Sequence, residues 1–368
     1  MREINSIPKF SINYAAKFMK FGCLNSLVFI ASRFVFLCCL FTAAPLAIAQ
    51  GADSAVVLMY HRFADDKHPT TSLTVEKFAA HVKELKSGAY NIIPLSEFVD
   101  ALIEKKPLTN RTVIITMDDA YQSVYKHAWP ILKKAGLPFT VFVTTHPVDT
   151  GQTGYLSWAQ LKEMAASGVT ISAKTHTLGR LATQDKKHIE WEIRTAADLL
   201  RNKLNLKPVS FAYPYGQASQ ATQRAAQSAG YKVAFGQHSG VLHRLTDRFF
   251  LPRFSLNDTY GDIGRFRTLI NAQPLPVFDV TPQNPLLPAT GNPPNFGFTV
   301  TAGIAGLDRL ACYHSAFGKL ALQHLGKSRI EIRFAKPFAA GRSRINCTMP
   351  GTGSRWRWFG MQYYVPGP

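Results

Sequence analysis

From Ala55 to about Pro252 the chain alternates short apolar runs with amphipathic segments, and this alternation limits the possible fold more than any other feature. The runs Ala55–Tyr60, Thr112–Met117, Phe139–Thr144, Val169–Ala173, Val209–Ala212 and Lys232–Phe235 are β-rich and too short for helices, so they read as strands. Helical spacing fills the gaps. In Thr74–Lys86 the apolar positions Val75, Phe78, Ala79, Val82 and Leu85 share one face. Ser157 with Gln160 three residues later forms a capping box, opening a helix that stops at Gly168. Asp185–Leu204 and Gln217–Ala229 read as two further helices, the second closed by Gly230. Strands that alternate with helices imply a parallel sheet covered by those helices. The expected fold class is α/β: a (β/α) barrel, incomplete at about seven strands, followed by a small C-terminal all-β module. In such barrels chemistry sits where strands end and loops begin.

The flanking regions differ in character. Residues 34–49 are apolar, follow several basic residues and end in Ala47-Ile48-Ala49, a small-x-small cleavage pattern. Residues 1–49 therefore read as a secretory signal peptide, with an uncleaved membrane anchor as the alternative. The protein is expected to be exported, to the periplasm or the extracellular space. Residues 54–273 form the barrel domain. Seven prolines and two glycines make 274–297 a linker, and 298–368 reads as a small β-sandwich. Beyond the export segment two cysteines remain, Cys312 and Cys347, an even pair that suits a disulfide in an oxidising compartment.

The formal net charge of +19 favours anionic partners. There is no Lys/Arg-rich block, zinc-finger spacing or basic helix, so nucleic acid is not an expected partner. Diffuse charge on an exported chain fits peripheral association with the cell envelope and a polysaccharide, an anionic one included. The alternative is generic solubility charge.

The sharpest local feature is Thr112-Val113-Ile114-Ile115-Thr116-Met117-Asp118-Asp119, an apolar strand that ends in two adjacent carboxylates. Burying like charges side by side is unfavourable unless a cation or strong donors accept them. One carboxylate holding a metal and the other acting as general base resolves that cost. A helix N-cap is the plainer explanation, but a cap needs only one Asp. Arg355-Trp356-Arg357-Trp358 alternates as a strand would, placing both Trp on one face, for core packing or for stacking on sugars.

Five stretches stand out together: Val56-Val57-Leu58-Met59-Tyr60-His61, Thr116-Met117-Asp118-Asp119-Ala120, Leu137-Pro138-Phe139-Thr140-Val141-Phe142-Val143, Phe211-Ala212-Tyr213-Pro214-Tyr215-Gly216 and Gly230-Tyr231-Lys232-Val233-Ala234-Phe235-Gly236. They resemble the motifs of the polysaccharide deacetylase (NodB homology) family. They occur in the family's order over about residues 54–256. The resemblance implies that Asp118 is the general base, that Asp119 binds a divalent metal, zinc by preference, and that Pro214 and Tyr215 contact substrate, with the Tyr215 N–H near the oxyanion. It implies a hydrolase that removes acetyl groups from an envelope or N-acetylglucosamine-containing glycan. The family's second motif, which supplies two metal-binding histidines, departs here. In the register from Gly168 to Leu181, Lys174 and Leu178 stand at the histidine positions. Leucine cannot ligate, and a protonated lysine repels a cation.

Two readings follow. If the strand continues past Ala173, residues 174, 176 and 178 share a face and His176 becomes a substitute ligand; otherwise His176 is a hydrogen-bonded loop residue. Alternatively the protein is a metal-free carbohydrate-binding pseudoenzyme in which the Lys174 ammonium lies within salt-bridge distance of Asp118 or Asp119. His61, after the first strand, points toward the same end of the barrel and is a candidate to contact sugar or assist catalysis, with a structural histidine bonding a neighbouring loop as the alternative. A non-catalytic adhesion role resting on the C-terminal module is a third possibility.

Overall fold

The structure, a computed structural model, describes residues 53–88 and 90–367. Residues 1–49, which the sequence suggests are a signal peptide, lie outside these residues. The described chain belongs to one compact body, with no separate unit for the C-terminal module.

All six expected strands form. The sheet runs, in spatial order, Leu242–His243, Ser54–Tyr60, Thr112–Asp118, Thr140–Val143, Thr170–Ala173, Ser210–Ala212 and Val233–Phe235. Each neighbouring pair is parallel except Leu242–His243, which runs antiparallel to Ser54–Tyr60. The sheet is an incomplete barrel, and residues 251–255 narrow its gap. Leu251 bridges Phe235 on the last strand, while Phe254–Ser255 pairs with Leu58–Met59 on the first.

Side chains alternate across each strand. Val57, Ile114, Phe142, Ala212 and Phe235 form an apolar cluster separate from the core that Val56, Leu58, Val113 and Ile115 build. The helices cover the latter face. Val75–Ser87 is capped by Thr74, Trp158–Ala166 by the Ser157/Gln160 box, Lys186–Leu204 by Asp185, and Gln220–Ser228 by Ser219. The sequence reading did not include the helix Leu95–Glu104.

The segment 274–297 is not a free linker. Val277–Thr281 is a strand, paired antiparallel with Asn295–Val300. The prolines sit at the ends and turns of these strands, where no ladder hydrogen bond is lost. The module has a five-stranded sheet (Gln273–Pro274, Trp356–Val365, Gly341–Pro350, Ala311–His314, Gly318–Lys319) and a four-stranded one (Val277–Thr281, Asn295–Val300, Arg329–Arg333, Gln323–Leu325). Phe296 and Phe298 meet Tyr363 and Phe359 between them. Cys312 and Cys347 face each other on adjacent strands and are disulfide-bonded.

The Trp pair departs from the core-packing expectation. Trp356 is exposed, and Trp358 packs against Phe254 of the barrel rather than inside the sandwich. On the same strand face Gly360 lies so close to the barrel that a Cβ there would meet the Ser239 carbonyl oxygen at 1.9 Å. The five-stranded sheet is thus seated directly on the barrel.

Candidate active site

The Thr112–Asp118 strand fixes the first carboxylate. Ile114 points into the barrel interior, so by the two-residue period Thr116 and Asp118 do too. A neighbouring residue in extended conformation would face the other way. Asp119 instead adopts φ 74 and Ala120 φ 56. This left-handed turn, costly for residues with a Cβ, returns the Asp119 carboxylate to the same pocket. Its N–H is anchored to the Phe142 carbonyl at 2.8 Å.

Two buried cations meet the pair. Lys174 follows the Thr170–Ala173 strand and shares a face with Ser172; its N–H extends the ladder to the Val143 carbonyl. Its Nζ donates to Asp119 Oδ1 at 2.5 Å and to Asp118 Oδ2 at 3.2 Å, and the residue is 1% exposed. Arg253, fully buried in the segment that narrows the barrel gap, donates Nη1 to Asp118 Oδ1 at 2.6 Å and Nη2 to Oδ2 at 2.9 Å. Its Nη1 also reaches Thr116 Oγ1 and its Nε the Gly236 carbonyl. Burial pushes the Asp118 carboxyl up, but the Arg253 and Lys174 charges outweigh it and hold the group well below the usual carboxylate range. Burial likewise opposes the Lys174 charge, and Asp118 and Asp119 outweigh it, so the pKa of Lys174 is raised.

His61 Nε2 lies 4.0 Å from Asp118 Oδ2, and burial lowers the pKa of the imidazole despite the nearby carboxylates. Tyr215, in the Pro214-Tyr215-Gly216 turn after the Ser210–Ala212 strand, has φ 57. Gly216 beside it has φ 67, and a Cβ there would meet the Gln237 backbone nitrogen at 2.4 Å, so only glycine fits.

His176 does not join the carboxylates. The strand ends at Ala173 and the chain turns, with Thr145 N–H bonding to the Thr175 carbonyl. The His176 Nδ1 pairs with Thr145 Oγ1 at 3.0 Å, and its ring packs against His146 and Trp191. Among the described residues no group of three or more His, Cys, Asp or Glu side chains is placed to hold a metal ion.

The family-level comparisons agree with this architecture. The sequence model of the family described as polysaccharide deacetylase matches residues 105–234, a span that runs through the carboxylate strand and the Pro-Tyr-Gly turn. Over that span the chain is similar to the polysaccharide deacetylase family. A Bacillus subtilis protein, YxkH, that carries a polysaccharide deacetylase name is 29% identical over 201 residues, 54% of this chain and 69% of that one. The poly-β-1,6-N-acetyl-D-glucosamine N-deacetylase of Staphylococcus aureus is 26% identical over 242 residues, 58% of this chain and 82% of the relative. The structure of IcaB from Ammonifex degensii superposes with a TM-score of 0.53 at 26% identity, covering 60% of this chain and 98% of that one.

Deacetylases of this family are generally metal-dependent, and the residues here do not fit the family's metal. The ammonium of Lys174 already sits on the carboxylate that would hold it, Leu178 offers no lone pair, and His176 is committed elsewhere. Sequence reasoning missed Arg253. Its signal was weak: one arginine between Pro252 and Phe254 in a chain rich in basic residues.

Proposed function

We propose that this protein is an exported, glycan-binding member of the polysaccharide deacetylase family whose metal centre has been replaced by an internal cation. One observation carries this reading: both carboxylates at the strand end are neutralised by buried protein cations, Asp118 by Arg253 and Lys174, Asp119 by Lys174. Both oxygens of Asp118 accept hydrogen bonds from these cations and the residue is 0% exposed, so it is shut off from solvent. A carboxylate held so far below its usual pKa is also a poor proton acceptor near neutral pH. The polymer best supported is one containing N-acetylglucosamine, the sugar in the name of the Staphylococcus aureus relative. Export is supported by the signal-like N-terminus and by the Cys312–Cys347 disulfide.

A second reading is removal of acetyl groups from the same polymer, with Asp118 as base. It is favoured by the retained Asp118–Asp119 pair, His61 and the left-handed Tyr215 turn. It requires Lys174 to leave the carboxylates so that a divalent metal, zinc by preference, can reach Asp119. Metal analysis of the purified protein, combined with binding and acetate release on an N-acetylglucosamine hexamer, separates the two. The expected result is binding without acetate release and sub-stoichiometric metal, with metal gained in Lys174→His/Leu178→His. Stoichiometric zinc together with acetate release that is abolished in Asp118→Asn would overturn the non-hydrolytic reading.

A further inference from the structure

The five-stranded sheet does more than cover the barrel. Arg342 and Arg344 alternate onto one face of the Gly341–Pro350 strand, and Gln362 lies directly opposite Arg344 on the neighbouring strand. That face meets the Pro214-Tyr215-Gly216 turn. Gln362 Nε2 donates to the Tyr215 and Gly216 carbonyls at 3.2 and 2.8 Å, and its Oε1 accepts from Arg344 Nε at 3.2 Å. Arg342 Nη1 lies 3.5 Å from the Tyr215 carbonyl and 3.4 Å from Gln237 Oε1. From the barrel side, the Arg180 guanidinium stacks 4.7 Å from the centre of the Tyr215 ring.

Two guanidiniums therefore meet at Tyr215, those of Arg180 and Arg342, and a third, Arg344, is joined to the turn through Gln362. Some arginines have carboxylate partners, as Arg62 with Asp65, Arg267 with Glu84, and Arg329 and Arg333 with Glu331. Among the described residues no carboxylate lies within ion-pair distance of Arg180, Arg342 or Arg344, and Arg342 Nη2 and both Nη atoms of Arg344 have no hydrogen-bond partner. Burial lowers the pKa of Arg342, and the Arg180 charge adds to it; Arg344 responds in the same way to burial and Arg342. Like charges held together with spare forked donors form a site suited to an oxyanion.

We infer that Arg180, Arg342 and Arg344 form an anion subsite beside Tyr215 that receives a carboxylate or phosphate carried on a sugar of the bound glycan. This rests on the reading that the barrel mouth binds glycan. It also gives the C-terminal module a share in recognition and sets a direction of selectivity: a deacetylated, cationic amino-sugar unit is repelled at the position where an anionic unit is held.

The test is calorimetric titration of the purified protein with three probes: a galacturonic acid hexamer, N-acetylglucosamine 6-phosphate and the neutral N-acetylglucosamine hexamer. The galacturonate hexamer should bind about tenfold or more tightly than the neutral hexamer, as one charge-assisted contact provides, and should weaken with added salt. Arg342→Ala/Arg344→Ala should lose that advantage while retaining neutral-hexamer binding. Arg180→Ala, on an exposed barrel loop, should lose part of it and guards against misfolding of the double variant. Preference for the phosphate over the carboxylate probe identifies the oxyanion and supports the subsite. Equal affinity of wild type for charged and neutral hexamers, or unchanged galacturonate binding in both variants, would overturn it. Anionic binding with no neutral-hexamer binding would instead sink the N-acetylglucosamine reading and leave the subsite standing.

Discussion

Lys174→Met isolates the internal cation. Methionine keeps most of the stem and removes only the charge. Asp118 keeps the Arg253 fork at 2.6 and 2.9 Å. Asp119 loses its 2.5 Å contact and keeps the Thr144 hydroxyl at 3.4 Å. Removing one partner of a buried ion pair costs about 3–5 kcal/mol, because the remaining charge stays desolvated. With Arg253 still present, the lower end, ~3 kcal/mol, is expected. For a body of roughly 300 residues that corresponds to a fall in Tm of ~5 °C. The pH dependence fixes the cause. The folded-state pKa of Asp118 is depressed, so its contribution is present above the ordinary carboxylate pKa and is lost as pH falls through the folded value. Lys174 has a raised pKa, so its contribution is present below about pH 10 and lost above. The difference between wild type and variant should therefore be flat from about pH 5 to 9 and shrink below about pH 4. Urea denaturation at pH 7, 5 and 3 measures it. A difference under ~1 kcal/mol at pH 7, or one that persists unchanged at pH 3, would refute the account of Lys174 as the carboxylates' counter-ion.

Three other outcomes are expected. Cys312→Ser/Cys347→Ser opens a loop spanning 35 residues, and chain entropy sets the loss at ~4 kcal/mol, read from urea midpoints that no longer respond to reductant. Burial lowers the pKa of His238 to about 3 and of His81 to about 4, so both stay neutral in the fold. Their contribution is present above about pH 6.5 and falls by up to ~1.4 kcal/mol per pH unit for each histidine as the solution is acidified; His238→Gln should flatten that slope by one proton's worth between pH 7 and 5. Gln362→Ala leaves the Gly216 carbonyl without its donor and the Tyr215 carbonyl with only the 3.5 Å contact to Arg342, at a cost of ~1–3 kcal/mol, and should also weaken galacturonate binding.

The barrel was legible because its strands are short β-rich runs closed by capped helices, signals that are local. The carboxylate pair and its lysine were legible for a related reason: each sits at or just after a strand whose alternation fixes which way it points. Arg253 was not, because its role depends on pairing with Asp118, 135 positions away, from a segment with little strand character. The register that would have brought His176 to the pocket failed at Ala173, where bonds to residue 145 turn the chain. The proline count in 274–297 suggested a linker, since composition carries no information on strands whose prolines lie at their ends. The two Trp of the last strand share a face as alternation requires, yet that face meets the barrel, a tertiary fact that periodicity does not encode.

The position of Trp356–Val365 within the five-stranded sheet has a consequence for how the molecule is made. This strand lies between Gln273–Pro274, the first to leave the barrel, and Gly341–Pro350. It therefore joins early chain to late chain, and the sheet cannot be assembled in the order of synthesis. Until the ribosome has delivered these closing residues, the Tyr215 turn lacks the Gln362 clasp and the barrel's flank around Ser239 and Phe254 is bare. Stopping translation at Gly351 would thus remove an interior strand rather than trim an edge, and would leave the unpaired sheet exposed to association with other chains.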